Sequence, residues 1–116
     1  MKIGLIKDKY WAKNEYVNRY KKVLDYNNIK NIILDIDQQD FWEIIKTCDV
    51  VIYRWGHYDS DRQIAHTILP IIENHLKIKC FPNQATCWHF DDKIKQYFLM
   101  KAYGFPFIKS QIAWSK

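Results

Sequence analysis

The side chains best equipped for chemistry fall in one run, Arg54-Trp55-Gly56-His57-Tyr58. An arginine presents a planar fork that grips a carboxylate or phosphate, tryptophan and tyrosine offer faces for stacking, and a glycine lets backbone approach a ligand closely. A second run, Lys7-Asp8-Lys9-Tyr10-Trp11, again sets charge beside aromatic rings. Both runs also have a plainer use, with Arg54 paired to a neighbouring acid while Trp55 and Tyr58 cover the end of a sheet. Asp35 and Asp37, two residues apart, could form an acid/base pair, but in a basic chain such acids more often shape turns or pair with lysine.

Other chemistries find less support. Three glycines, at positions 4, 56 and 104, make neither a phosphate-cradling loop nor a dinucleotide fingerprint, and there is no Gly-x-Ser-x-Gly elbow. Cys48, Cys80 and Cys87 form no Cys-x-x-Cys pair and sit in or beside apolar segments, as reduced buried thiols do. His57, His66, His75 and His89 lack the paired spacing of a zinc site on one helix. The net charge of +5 suits an anionic ligand, yet the lysines are dispersed and no nucleic-acid-binding signature accompanies them, which argues against nucleic acid as a partner.

The elements that would position these residues alternate. A chain of 116 residues with 48% hydrophobic and 27% charged residues suits one folded domain. No apolar run approaches the ~20 residues that cross a bilayer, and Met1-Lys2-Ile3-Gly4 leads directly into a strand, so a cytoplasmic protein is expected. Strands are predicted at 2–6, 29–36, 48–53 and 77–81. The third, Cys48-Asp-Val-Val-Ile-Tyr53, is apolar enough to expect cover on both faces.

The helices are signed as follows. Asn14 is placed to cap one running to about Asn27, with Tyr16, Val17, Tyr20, Val23 and Leu24 on one face. Asp40 with Glu43 has capping-box form, as does Ser60-Asp61-Arg62-Gln63 before Ile64, Ala65, Ile68, Leu69 and Ile72. Pro70 should bend or split that helix near His66 to Thr67. Pro82-Asn83 turns the chain after the fourth strand. A further helix starts near Asp91-Asp92, carries Ile94, Tyr97 and Phe98 on one face and stops at Gly104, with a strand expected after Pro106. Strand-helix alternation with short connections implies a parallel sheet with right-handed crossovers.

The order of signals from Asn83 to Ser110 resembles the hinge at which the pre-ATP-grasp domain of an ATP-grasp ligase meets its ATP-binding part. That family has an Asn turn, an Asp-Lys helix start, a helix and a Gly-apolar-Pro-apolar-Pro-x-Thr strand. Asn83, Asp92-Lys93, Gly104-Phe105-Pro106 and Lys109-Ser110 follow that order here, with Ile108 where the second Pro is usual and Ser110 where Thr is usual.

The resemblance implies a three-layer α/β fold, a Rossmann-like pre-ATP-grasp domain with a mostly parallel four-stranded sheet in the order 2-1-3-4. Residues 1–88 would form that domain, and 89–116 the linking helix and first strand leading into an ATP-grasp domain in cis. The implied activity is carboxylate–amine ligation with ATP and Mg in the full-length protein. No catalysis and no cofactor are expected of this stretch alone, because most of the family's nucleotide contacts come later. Lys93 would reach the nucleotide phosphates, or be a solvated first-turn lysine.

Lys7, Asp8, Arg54, His57, Tyr58 and Asn83 would form a shallow basic and aromatic substrate site for a small anion, since ligands of open α/β sheets sit beyond the carboxyl ends of the strands. A homodimer is compatible with this reading. The chain is either the amino-terminal piece of a longer ligase, which is preferred, or an autonomous domain that has lost the reaction. The alternatives are a flavodoxin-like ligand-binding module or half of a nucleotide-sugar transferase. A signalling receiver is disfavoured because Lys7-Asp8 and Arg54 end the strands where such a protein needs an acidic cluster.

Overall fold

Side chains alternate across each strand, so a sheet has two faces to cover, and the packing follows from how many helices reach each. A computed structural model describes residues 1–9 and 15–114. Among the described residues four strands, β1 (Lys2–Ile6), β2 (Lys30–Leu34), β3 (Val50–Tyr53) and β4 (Lys79–Phe81), form one all-parallel sheet in the order β2-β1-β3-β4. The helices are α1 (Glu15–Tyr26), α2 (Phe41–Ile45), α3 (Asp59–Pro70), α4 (Gln84–His89) and α5 (Lys93–Ala102). This is the α/β sheet expected from the strand-helix alternation, in the strand order that the resemblance implied.

The larger core joins Ile6, Leu34, Val51 and Cys80 of the sheet to Phe41 and Ile45 of α2 and Ala65, Ile68 and Leu69 of α3. The smaller core, on the other face, joins Ile3 and Leu5 to Val17 of α1, with Leu24, Ile33, Val50 and Ile52 partly buried around it. Helix α1 covers β1 and β2 there, and no described helix covers β3 and β4. β3 is thus covered on one face and half-open on the other, correcting the expectation of two covered faces. Tyr16, Tyr20 and Val23, on one helix face with Val17 and Leu24, are exposed.

Several local expectations are revised. Asp40 precedes α2 but makes no side-chain cap; its Oδ1 accepts from Gln38 Nε2 at 2.9 Å. Helix α3 starts at Asp59, before Ser60, and Tyr58 at its N-cap makes no side-chain cap either. Pro70 does not split the helix near His66. The change falls after the proline, where Ile71–His75 form a π-type turn that closes with Leu76 N donating to Ile71 O at 3.0 Å. A six-residue helix, α4, occupies what the sequence suggested was a bare connection between Asn83 and Asp92. The segment after Pro106 pairs with no described strand; Tyr97 and Phe107 meet edge-on and Trp114 stacks on Phe98. The Asn14 cap lies outside the described residues.

Other signals hold. Asp92 caps α5 by accepting from Lys95 N at 3.0 Å, Gly104 takes the left-handed stop at φ 69°, and all three cysteines are free and buried. Burial, with Glu73 nearby, pushes the Cys80 thiol up to about 12. Helix α5 buries no residue, and the radius of gyration is 16.7 Å, against roughly 13 Å for a compact domain of this length. Among the described residues no helix is long and apolar enough to cross a membrane.

Gly4, in β1, leaves room for the side chains of Leu34 and Cys48. A Cβ there would stand 3.0 Å from Leu34 Cδ1 and 3.1 Å from Cys48 Sγ. Gly4→Ala is expected to cost about 1–3 kcal/mol through overpacking, read as a lower urea midpoint. An unchanged midpoint would show that Leu34 and Cys48 yield freely.

Candidate functional site

Parallel strands deliver their carboxyl ends to one edge, and the connections after β1 and β3 leave that edge side by side because β1 and β3 pair directly. Asp8 and the run 54–57 therefore line one cavity of about 200 Å³, with Glu15, Tyr16 and Val17 of α1 as its other wall. Beyond Arg54 lies a larger groove of about 750 Å³, lined by Tyr20, Ile52, Trp55, Phe81 and Phe90 among others. Arg54 and His57 border both.

Arg54 is exposed, and its guanidinium carbon stands 3.2 Å from the centre of the Tyr16 ring. Among the described residues no carboxylate lies within ion-pair distance of it. A stacked guanidinium keeps its N–H fork available for an anion while the ring holds its plane. Trp55 is buried between Tyr53 and Phe90, with ring centres at 5.9 and 5.5 Å, so it closes the sheet end and walls both cavities at once. Its indole N–H meets no acceptor among the described residues. His57 lies against Phe90 at 5.4 Å, and its Nδ1 is 3.2 Å from Asp91 Oδ2. That contact ties the β3 connection to the link between α4 and α5, where Asp91 takes φ 56° and its carbonyl accepts from Arg62 Nη1 at 3.2 Å.

Not every residue assigned to the site from the sequence gathers here. Lys7 points to Asp35 at 3.3 Å and Lys9 to Asp37 at 3.1 Å, while Asp37 N donates to Asp35 Oδ1 at 3.1 Å. Asp35 and Asp37 are thus turn-formers and lysine partners, and the Asp37 N–H, then Lys7, hold the Asp35 carboxyl below its ordinary value. Asn83 uses its side chain to cap α4, accepting from Thr86 N at 2.8 Å. Tyr58 is exposed and lines neither cavity. Lys93 stands exposed on the first turn of α5, also outside both. A lone first-turn lysine can meet a phosphate but does not make a nucleotide cradle. Tyr10 and Trp11 lie outside the described residues.

Sequence reasoning missed Tyr16 and Tyr20 as site residues, placing them only on the apolar face of the first helix. The signal was their chemistry: aromatic side chains with a polar tip often keep one face open. It also missed Asp61, which is 1% exposed and whose two carboxylate oxygens have no hydrogen-bond partner among the described residues. Burial raises its pKa, Asp8 adds to the rise, and the backbone of Gly56 opposes it. Neither a family model nor a curated protein matches the chain.

Proposed function

We propose that this chain is the substrate-side part of an ATP-dependent carboxylate–amine ligase of the ATP-grasp type, with Arg54 gripping a small anionic substrate at the carboxyl edge of the sheet. The observation that carries the reading is Arg54 itself: a cation stacked on Tyr16, without a carboxylate partner among the described residues, at the border of two cavities. The order Asn83, Asp92-Lys93, Gly104-Phe105-Pro106 supports the ligase assignment by resemblance. ATP and Mg would be held mainly by an ATP-grasp portion in cis, with Lys93 reaching the nucleotide phosphates as the resemblance implies. The small cavity, with Asp8 and Glu15 on its wall, is less basic than the sequence suggested, which favours the groove side of Arg54 for the anion.

A ligand-binding module without ligation is the second reading, and it is favoured by both cavities being walled within this chain alone. The test is ADP release by the protein from its complete reading frame across a panel of carboxylates and amines. Arg54→Ala is expected to raise KM for the acid roughly ten- to a hundredfold, the loss of a charge-assisted hydrogen bond, with kcat little changed. Turnover that ignores Arg54 would remove the residue from the reading. No turnover with any pair, beside Arg54-dependent binding of an acid, would favour the module.

A further inference from the structure

The groove beyond Arg54 exists because helix supply and sheet width do not match. Helix α1 lies over β1 and β2, and the face of β3 and β4 on the same side is left with Ile52 half-open and Phe81 57% exposed. Tyr20 of α1 forms one wall, Phe81, Pro82 and Thr86 the other, and Trp55 with Phe90 closes the end. About 750 Å³ falls within the usual range of small-molecule sites, which are mostly apolar with a few converging polar groups.

The charges of this lining are one-sided. Among the described residues Arg54 is the cation of this lining, His57 is turned to Asp91, and no aspartate or glutamate lines the groove, whereas Asp8 and Glu15 line the small cavity. An acid is therefore repelled from the one and admitted to the other. Trp55, 6% exposed, adds a buried indole N–H without an acceptor among the described residues.

We propose that the groove between α1 and β4 binds the apolar body of an aromatic or medium-chain aliphatic carboxylic acid, whose carboxylate sits on Arg54. This rests on the anion-binding role given to Arg54 above and adds the substrate class. Each methylene buried multiplies affinity by roughly three- to fourfold, so a short bare acid binds far more weakly than one with a phenyl or hexyl body. A protein segment is the less suited occupant, because the groove is closed at one end by Trp55 and Phe90 and carries its cation there.

The test is titration of the purified protein with acetate, 3-phenylpropionate and 3-phenylpropionamide, followed by backbone and tryptophan indole N–H shifts. The expected result is 3-phenylpropionate binding at least thirtyfold more tightly than acetate, with Arg54→Gln and Phe81→Ser each weakening it about tenfold or more. Thr86→Trp, which fills the groove from exposed helix α4, is expected to block binding and stands in if Phe81→Ser does not fold. Equal affinity for acetate and 3-phenylpropionate, unaffected by Thr86→Trp, overturns the groove and leaves Arg54 as an anion site. Equal affinity for the acid and its amide overturns the anion role of Arg54, and the proposal with it. Failure to bind any probe overturns both, and self-association abolished by Phe81→Ser would then identify the groove as a protein interface.

Discussion

Glu73→Ala is expected to lower the stability of the fold by about 2–4 kcal/mol. Glu73 lies in the π-type turn, and its two oxygens accept from backbone groups of two separate elements, Cys80 N of β4 at 3.3 Å and Gln84 N of α4 at 2.9 Å. Asn74 Nδ2 adds a bond to Gln84 Oε1 at 2.9 Å. β4 has only three residues and one neighbour, β3, so this carboxylate does much of the work of holding it in register. Alanine would leave the Cys80 N–H, on a buried residue, without an acceptor. Glutamine retains one oxygen and should recover part of the loss. Urea unfolding at neutral pH decides the matter: a loss below about 0.5 kcal/mol would show that water replaces the carboxylate at no cost.

The second large effect has the opposite sign. Asp61→Asn is expected to stabilise the protein at pH 7 by about 1–3 kcal/mol, because a buried carboxylate with no charge partner among the described residues, and only the Gly56 backbone favouring its ionised form, is expensive to ionise. Its folded pKa is raised above the ordinary 3.8, first by burial and then by Asp8. A raised folded pKa means that the native state binds the proton more tightly than the unfolded chain does. The contribution is fully favourable below the unfolded value and is lost as pH rises through the folded one. The advantage of Asn should therefore shrink as pH falls toward 3.8. Asp25, Asp35 and Asp92, whose values are lowered, act in the reverse sense and are common to both proteins, so the difference between the two curves isolates Asp61. A constant offset at all pH values would mean that Asp61 titrates alike in the native and unfolded states, so that burial does not raise its pKa.

The strands were readable because Lys2–Ile6 and Val50–Tyr53 are short apolar runs between polar connections, and the order 2-1-3-4 followed from the resemblance rather than from periodicity. What escaped depends on how elements are shared out in space. An apolar run such as Cys48 to Tyr53 says that a strand wants cover on both faces, but it does not count the helices available, and here the second face of β3 is left to the groove. Ser60-Asp61-Arg62-Gln63 has the pattern of an exposed cap, and only the fold reveals that Asp61 turns inward under Gly56. Helix α4 was hidden by its length, since six residues hold too little periodicity to register. In the site, the convergence of Asp8 with Arg54 and His57 was legible because strand ends share an edge; the capture of Lys7 by Asp35 and of Asn83 by Thr86 N was not, because it depends on side-chain rotamers.

Helix α5 and the aromatic segment behind it bury nothing in either core. Ten residues is shorter than the roughly 12–15 at which isolated helices become even marginally stable in water, so this arm is held by its Asp92 cap, the Gly104 stop, the bond from Gln96 Nε2 to His89 O and its own ring contacts. The molecule is therefore expected not to melt as one cooperative unit: the body from β1 to α4 should lose its structure in a single transition, and the arm should fray at lower temperature. A melting temperature read from total helix content averages the two, and the tryptophans report different events: Trp55 the collapse of the body, Trp114 the loosening of the arm.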